Sequence, residues 1–210
     1  LFRFYGPVGQ DYRSTNPEYG PVGNFLSFNW QNVHTDYNTF NWGAVDSAIA
    51  TEAALSVQLA DGTIILKPVA LAIQVYLVDA TGTPYCVTDT AGYTITLRDL
   101  TPQWVYKDHS FGETVSCFNH SLDRKVGHIL TCAPYRAVVP AYENTNWQHS
   151  YWELVTALGA RYGDDPRVSA IFIAAGIDGE ATPIKNGYCA WYSLFTAMGG
   201  WNSGYQAWAK

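Results

Sequence analysis

Charged side chains are scarce in this sequence. Lys, Arg, Asp and Glu make up 14% of its 210 residues, against about 25% in an average globular protein. The balance is acidic, net −6, and nowhere do Lys and Arg gather into a stripe. That excludes nucleic acid as a partner, because neutralising phosphates takes clustered cations. Long apolar runs are missing as well. The best candidate, Val69 to Val78, carries Gln74 and falls short of the roughly 18 apolar residues of a membrane span. The four cysteines, Cys86, Cys117, Cys132 and Cys189, form no C-x-x-C pair and no spaced Cys/His set. His34, His109, His120, His128 and His149 fall in no H-E-x-x-H pattern and read as surface or hydrogen-bonded residues. Zinc is therefore not expected. No Gly-x-Ser-x-Gly elbow, phosphate loop or dinucleotide fingerprint occurs, so no cofactor is expected either.

What the chain has in abundance is apolar and aromatic surface. Hydrophobic residues reach 48% and aromatics 15%, with eight Trp and fifteen Tyr. Such a chain folds and buries a core, as one large domain or two small ones. A surface poor in charge and rich in aromatic and amide groups suits neutral polar ligands such as sugars. It suits packing against other protein chains equally well. The even cysteine count allows two disulfides among three pairings, and Cys117 with Cys132, which bracket one loop-like segment, is the preferred pair. Asn119-His120-Ser121 within that segment is an N-glycosylation sequon. The chain begins at Leu1 without a methionine, as expected of a processed or trimmed product, and nothing at its start reads as a signal peptide. Together these features favour an extracellular protein.

Residues 1–24, rich in Gly, Pro, Asn and Ser, read as an extended lead-in. Phe25 to Trp30 is expected as a first strand. Asn41 is placed to cap a helix from Trp42 to about Leu55, with Val45, Ala48, Ile49 and Ala53 on one face. After a turn at Asp61-Gly62, Lys67 to Val78 is β-branched and apolar enough for a second strand. Residues 79–134 show no convincing period and read as a long excursion with a small hairpin around Tyr93 to Leu97. Tyr135 to Pro140 resembles a third strand. A helix from about Trp147 to Tyr162 lines up Tyr151, Leu154, Val155, Leu158 and Tyr162, and Gly163 stops it. Val168 to Ala175 is the fourth strand. Residues 186–210 form an aromatic tail with one short helix near Ser193 to Met198. This alternation predicts an α/β fold with about four parallel strands and helical crossovers. A closed eight-stranded barrel takes roughly 250 residues, which is more chain than this.

The fourth strand runs on into IFIAAGIDGE, which ends in two carboxylates, Asp178 and Glu180. Taken alone, the stretch favours loop acids that solvate a turn. Acids at the carboxyl end of a buried parallel strand, however, stand where α/β folds keep their chemistry. Trp30, Trp104 and Trp191 are candidate sugar-stacking platforms, since an aromatic face packs against the apolar C–H face of a pyranose. Core or interface packing is the favoured reading of each.

Phe28-Asn29-Trp30 and Tyr37-Asn38-Thr39-Phe40-Asn41-Trp42-Gly43-Ala44-Val45-Asp46 resemble the first βα unit of clan-A glycoside hydrolases, above all the β-galactosidase-like barrels. Tyr151 to Glu180, YWELVTALGARYGDDPRVSAIFIAAGIDGE, is similar to that family's third helix and fourth strand. Thr101-Pro102-Gln103-Trp104-Val105 resembles its loop after the second strand. The likeness spans residues 25–185 and implies the N-terminal half of a (β/α)8 barrel, with the excursion at 79–134. It places Glu180 on the acid/base position of a retaining glycosidase; Asp178, which points the same way in an extended segment, is expected as a substrate contact. Three departures stand out. Gly179 replaces the Asn that usually precedes the acid. VALAIQV lacks the basic residue common at the end of the second strand. The nucleophile belongs near a seventh strand, which the roughly thirty residues after Glu180 are too few to reach.

Retaining hydrolysis needs two carboxyl groups about 5–5.5 Å apart. Asp79, Asp108 and Glu143 are the weak candidates for the second, so the expected partner is further sequence, another copy or a second chain completing the barrel. The expected ligand is a carbohydrate. The alternatives are a structural or assembly protein derived from a barrel, and a carbohydrate-binding module without catalysis.

Overall fold

Val69–Gln74, VALAIQ, is apolar at almost every position, and a strand of that kind is stable only when both faces are covered. All six residues are buried. In the computed structural model, which describes residues 2–3, 23–58, 61–78, 94–102, 104–105, 114–116, 123–125, 128–132, 135–173, 191–200, 202 and 206, this is the central strand of a parallel sheet. Gly23–Asn29 pairs with it on one side, from Asn24 opposite Val69 to Asn29 opposite Gln74. Val168–Phe172 pairs with it on the other, from Val168 opposite Val69 to Phe172 opposite Ala72. The two-residue strand Phe2–Arg3 adds to the outer side of Gly23–Asn29, also in parallel. The expected α/β class with a parallel sheet is therefore present.

Two helices make the crossovers. Gly43–Ala53 lies between the first and central strands and buries Val45, Ala48, Ile49, Glu52 and Ala53. Thr145–Tyr162 precedes Val168–Phe172 and buries Trp147, Ser150, Leu154, Leu158 and Tyr162, a stripe at helical spacing. Its start is fixed by Asn144, whose side-chain oxygen accepts from the backbone N–H groups of Asn146 at 2.8 Å and Trp147 at 3.1 Å. Replacing Asn144 with alanine is expected to lower stability by about 1 kcal/mol, read as a fall in the urea midpoint. Asn144→Ser, which keeps an acceptor there, should recover most of that loss.

The third expected strand lies elsewhere. Tyr135–Val139 does not enter between the central strand and Val168–Phe172, which pair directly. It joins a second four-stranded sheet, in the order His128–Cys132, Tyr135–Val139, Thr94–Asp99, Tyr76–Val78. Its pairing with His128–Cys132 is antiparallel, Cys132 opposite Tyr135, and that close register holds it out of the parallel series. Thr94–Asp99, expected as part of a small hairpin, pairs parallel with Tyr135–Val139 and antiparallel with Tyr76–Val78.

The expected second strand, Lys67 to Val78, is two strands split at Val75. Val69–Gln74 belongs to the parallel sheet and Tyr76–Val78 to the second one. Leu100 secures the junction, donating its N–H to Val75 O at 2.8 Å and accepting Gln31 N–H at 3.0 Å. The short helix Trp191–Ala197 packs on the His128–Cys132 strand, burying Leu194 and Phe195.

One polar cluster is buried within this frame. Asn24 on the first strand, Glu52 on the crossover helix and Lys67 just before the central strand are all at most 4% exposed. Lys67 Nζ lies 2.6 Å from Glu52 Oε2. Asn24 Nδ2 donates to Glu52 Oε1 at 3.0 Å, and Asn24 Oδ1 accepts the N–H of Phe25 at 3.1 Å.

Candidate functional site

Ligands of open parallel sheets bind outside the carboxyl ends of the strands. Here those ends are Asn29 and Gln74, paired side by side. The chain leaves Asn29 in one helical turn, Trp30–Val33, and then folds back as a hairpin of His34–Asp36 against Thr39–Phe40. Tyr37 and Asn38 form its tip. Asn38 takes a left-handed φ of 52°, which asparagine tolerates better than most residues. Asn41 N–H closes the loop onto Val33 O at 2.7 Å.

Aromatic rings run continuously from this hairpin into the core. Tyr37 meets Trp104 edge-on, with centroids 6.1 Å apart. Trp104 meets His34 at 4.6 Å, His34 stacks on Phe40 at 4.1 Å, and Phe40 stacks on Trp42 at 5.2 Å. Trp42 ends the chain against Tyr162 at 5.5 Å. A second branch runs inward, Trp30 standing edge-on to Trp147 at 5.4 Å and to Tyr151 at 5.5 Å. Trp147 Nε1 donates to Thr101 Oγ1 at 2.8 Å, which ties the long helix to the segment after Asp99.

His34 is the polar centre of this network. It is fully buried, and its Nδ1 accepts from Trp30 Nε1 at 3.2 Å. The neutral ring then carries its proton on Nε2, which has no hydrogen-bond partner among the described residues. Burial pushes its pKa down to about 4, against an opposing pull from Asp36. At neutral pH the imidazole is therefore uncharged. Burial likewise pushes the Tyr151 phenol up to about 12.

Two of the stretches quoted for the resemblance meet at the helix pair. Asp46 accepts from Arg161 Nε at 3.2 Å and from the Tyr162 hydroxyl at 2.8 Å. The Arg161 hydrogen bond, with help from Tyr162, holds the Asp46 carboxyl below the usual range. Asp165 and Arg167 pair across the following turn. The RYG-x-D-P-R-V stretch thus has a structural role, bracing the two crossover helices and leading into the edge strand.

Of the predicted site residues, Trp30 and Trp104 have described side chains, and both stand against His34. Trp30 is fully buried among aromatic rings, so neither ring face is open to a sugar, and its part in the molecule is core packing. Trp104 is half-buried beside the hairpin, with Nε1 donating to His34 O at 3.2 Å. Trp191 opens the Trp191–Ala197 helix, and its side chain lies outside the described residues. Asp178, Glu180, Asn119 and Cys117 lie outside them too. Cys132 ends the His128–Cys132 strand, but its side chain is not among those described, so the Cys117–Cys132 pair lies outside the description. Of the weak second-acid candidates, Asp79 and Asp108 are outside as well, and Glu143 is half-buried just before the long helix. Among the described residues no group of three or more His, Cys, Asp or Glu is arranged to hold a metal. No described helix is long and apolar enough to cross a membrane.

Sequence reasoning missed Tyr37 and the burial of His34. The available pointer was Tyr37-Asn38, a bulky aromatic next to a residue that accepts positive φ, between two β-prone pairs. No family model, curated protein or solved structure matches the chain.

Proposed function

We propose that this chain is glycoside-hydrolase-like, part of a (β/α)-barrel arrangement in which Glu180 is the general acid/base of a retaining hydrolysis. The supporting observation is the direction of Val168–Phe172. It runs parallel to the central strand, with Phe172 opposite Ala72, so the chain leaves it toward the end of the sheet where Asn29 and Gln74 stand. Glu180 follows Phe172 by eight residues. As acid, its carboxyl donates a proton to the departing glycosidic oxygen. As base, it then takes a proton from the water that releases the sugar. The attacking carboxylate comes from further sequence, another copy or a second chain. A secreted setting, with Asn119 glycosylated and Cys117 bridged to Cys132, belongs to the same reading.

The test uses the protein purified together with any chain that accompanies it, assayed on aryl β-galactosides with good and poor leaving groups. Glu180→Gln is expected to cut kcat/KM for poor leaving groups at least about a hundredfold. Dinitrophenyl substrates, which need little protonation, should be far less affected. Unchanged hydrolysis, or an equal loss on both substrate types, would sink the acid/base role.

A non-catalytic assembly role draws on a different observation. Val168–Phe172 has a strand on only one side among the described pairings, and Phe172 and Ile173 are exposed. Open edges of this kind invite pairing with another chain.

A further inference from the structure

The hairpin tip holds an aromatic feature with no part in the proposed acid/base chemistry. Tyr37 is 59% exposed, although a tyrosine ring usually packs against something. Its plane meets that of the half-buried Trp104 at 74°, so the two rings form a corner rather than a sandwich. The Trp104 wall is held in place, and the Tyr37 wall rises from an anchored main chain. Trp104 is fixed by its hydrogen bond to the His34 carbonyl and by the imidazole against its ring. The Tyr37 main chain is anchored, since its N–H donates to Asp36 Oδ1 at 2.8 Å and its carbonyl accepts from Thr39 Oγ1 at 3.2 Å.

The rim is polar and short-chained: Thr35, Asp36, Asn38 and Thr39 are all exposed. No Lys or Arg lies between His34 and Trp42. A single exposed aromatic needs no explanation. Two rings meeting at 74°, bordered by hydroxyl, amide and carboxylate groups, match a particular ligand shape. A pyranose has an apolar C–H face to lay on one ring and equatorial hydroxyls to meet the polar rim. The held Trp104 ring also saves part of the ordering cost of binding.

We propose that Tyr37 and Trp104 form a stacking corner for a neutral pyranose unit of an oligosaccharide. The corner rests on the carbohydrate reading above for its ligand class, but not on Glu180. It lies beyond the carboxyl end of the first strand, the end of the sheet toward which Val168–Phe172 runs.

The test is calorimetric titration of wild type, Tyr37→Ala and Tyr37→Phe with galacto-, manno-, gluco- and xylo-oligosaccharides, and with tetramethylammonium. Tyr37→Ala is expected to weaken binding of the preferred sugar by about tenfold through loss of the stacked ring. Tyr37→Phe keeps the ring and should bind nearly as wild type. An unchanged melting temperature in Tyr37→Ala confirms that the loss is local. Equal sugar affinity in wild type and Tyr37→Ala overturns the proposal, even if Glu180→Gln abolishes hydrolysis. So does binding of tetramethylammonium with no sugar bound, which would make the corner a cation site. If Glu180→Gln is silent while Tyr37→Ala loses sugar, the corner stands and the catalytic reading falls.

Discussion

Lys67→Met is expected to remove about 3 kcal/mol of folding stability, because it takes away the ammonium that lies against the buried Glu52 carboxylate. The geometry makes this severe. Glu52 is fully buried, Lys67 is 4% exposed, and their charged atoms are 2.6 Å apart. Water cannot take the place of the lost ammonium without opening the joint between first strand, helix and central strand. Asn24 does not compensate, since its amide already donates to the other carboxylate oxygen. The double variant Glu52→Leu/Lys67→Met removes both charges and should recover much of the loss, since an apolar pair of similar volume often replaces a buried ion pair at little cost. Full recovery is not expected, because Asn24 Nδ2 then lacks its acceptor. Urea unfolding of the three proteins checks this. A Lys67→Met midpoint close to wild type would show that the pair contributes little.

Acid is expected to destabilise the protein through His34, within a defined window. The folded pKa of about 4 lies below the ordinary value of 6.5, so between these values the unfolded chain binds a proton that the folded one refuses. Stability from this group is complete above pH 6.5, falls as pH drops, and is exhausted below pH 4. A gap of that size corresponds to about 3 kcal/mol. The structural cause is plain. Nδ1 accepts from Trp30, and protonation there would set two donors against each other inside an aromatic cluster. His34→Phe should flatten the pH dependence of the urea midpoint between pH 6.5 and 4. An unaltered slope would show that His34 titrates normally in the folded state.

The helices were legible because their evidence is local. Gly43–Ala53 and Thr145–Tyr162 repeat apolar residues at helical spacing, and Gly163 marks the end of the second, although its Asn144 cap and its start at Thr145 went unread. Val168–Phe172 was legible for a similar reason, as an apolar run after a turn at Asp164-Asp165-Pro166. The division of strands between sheets was not legible. KPVALAIQVYLV is apolar throughout, so no change of period announces that Val75 separates two sheets. Tyr135–Val139 likewise has residues that suit either a parallel or an antiparallel neighbour, and only its partner decides. The polar features escaped for another reason. Asn24, Glu52 and Lys67 are ordinary surface types in sequence, and only the fold brings them together. Tyr37 is conspicuous for its exposure, which sequence alone does not reveal.

The pairing of the central strand also bears on how the chain is made. Val69 lies opposite Asn24 on one side, about 45 residues earlier, and opposite Val168 on the other, about 100 residues later. Ribosomes add about 5–20 residues per second, so several seconds separate emergence of the central strand from that of its second neighbour. During that interval VALAIQ has one side bare, and nothing in its side chains discourages a stranger from pairing there. The nascent protein therefore depends on speed, dilution or a holding chaperone at that stage, a demand that vanishes once Phe172 is in place.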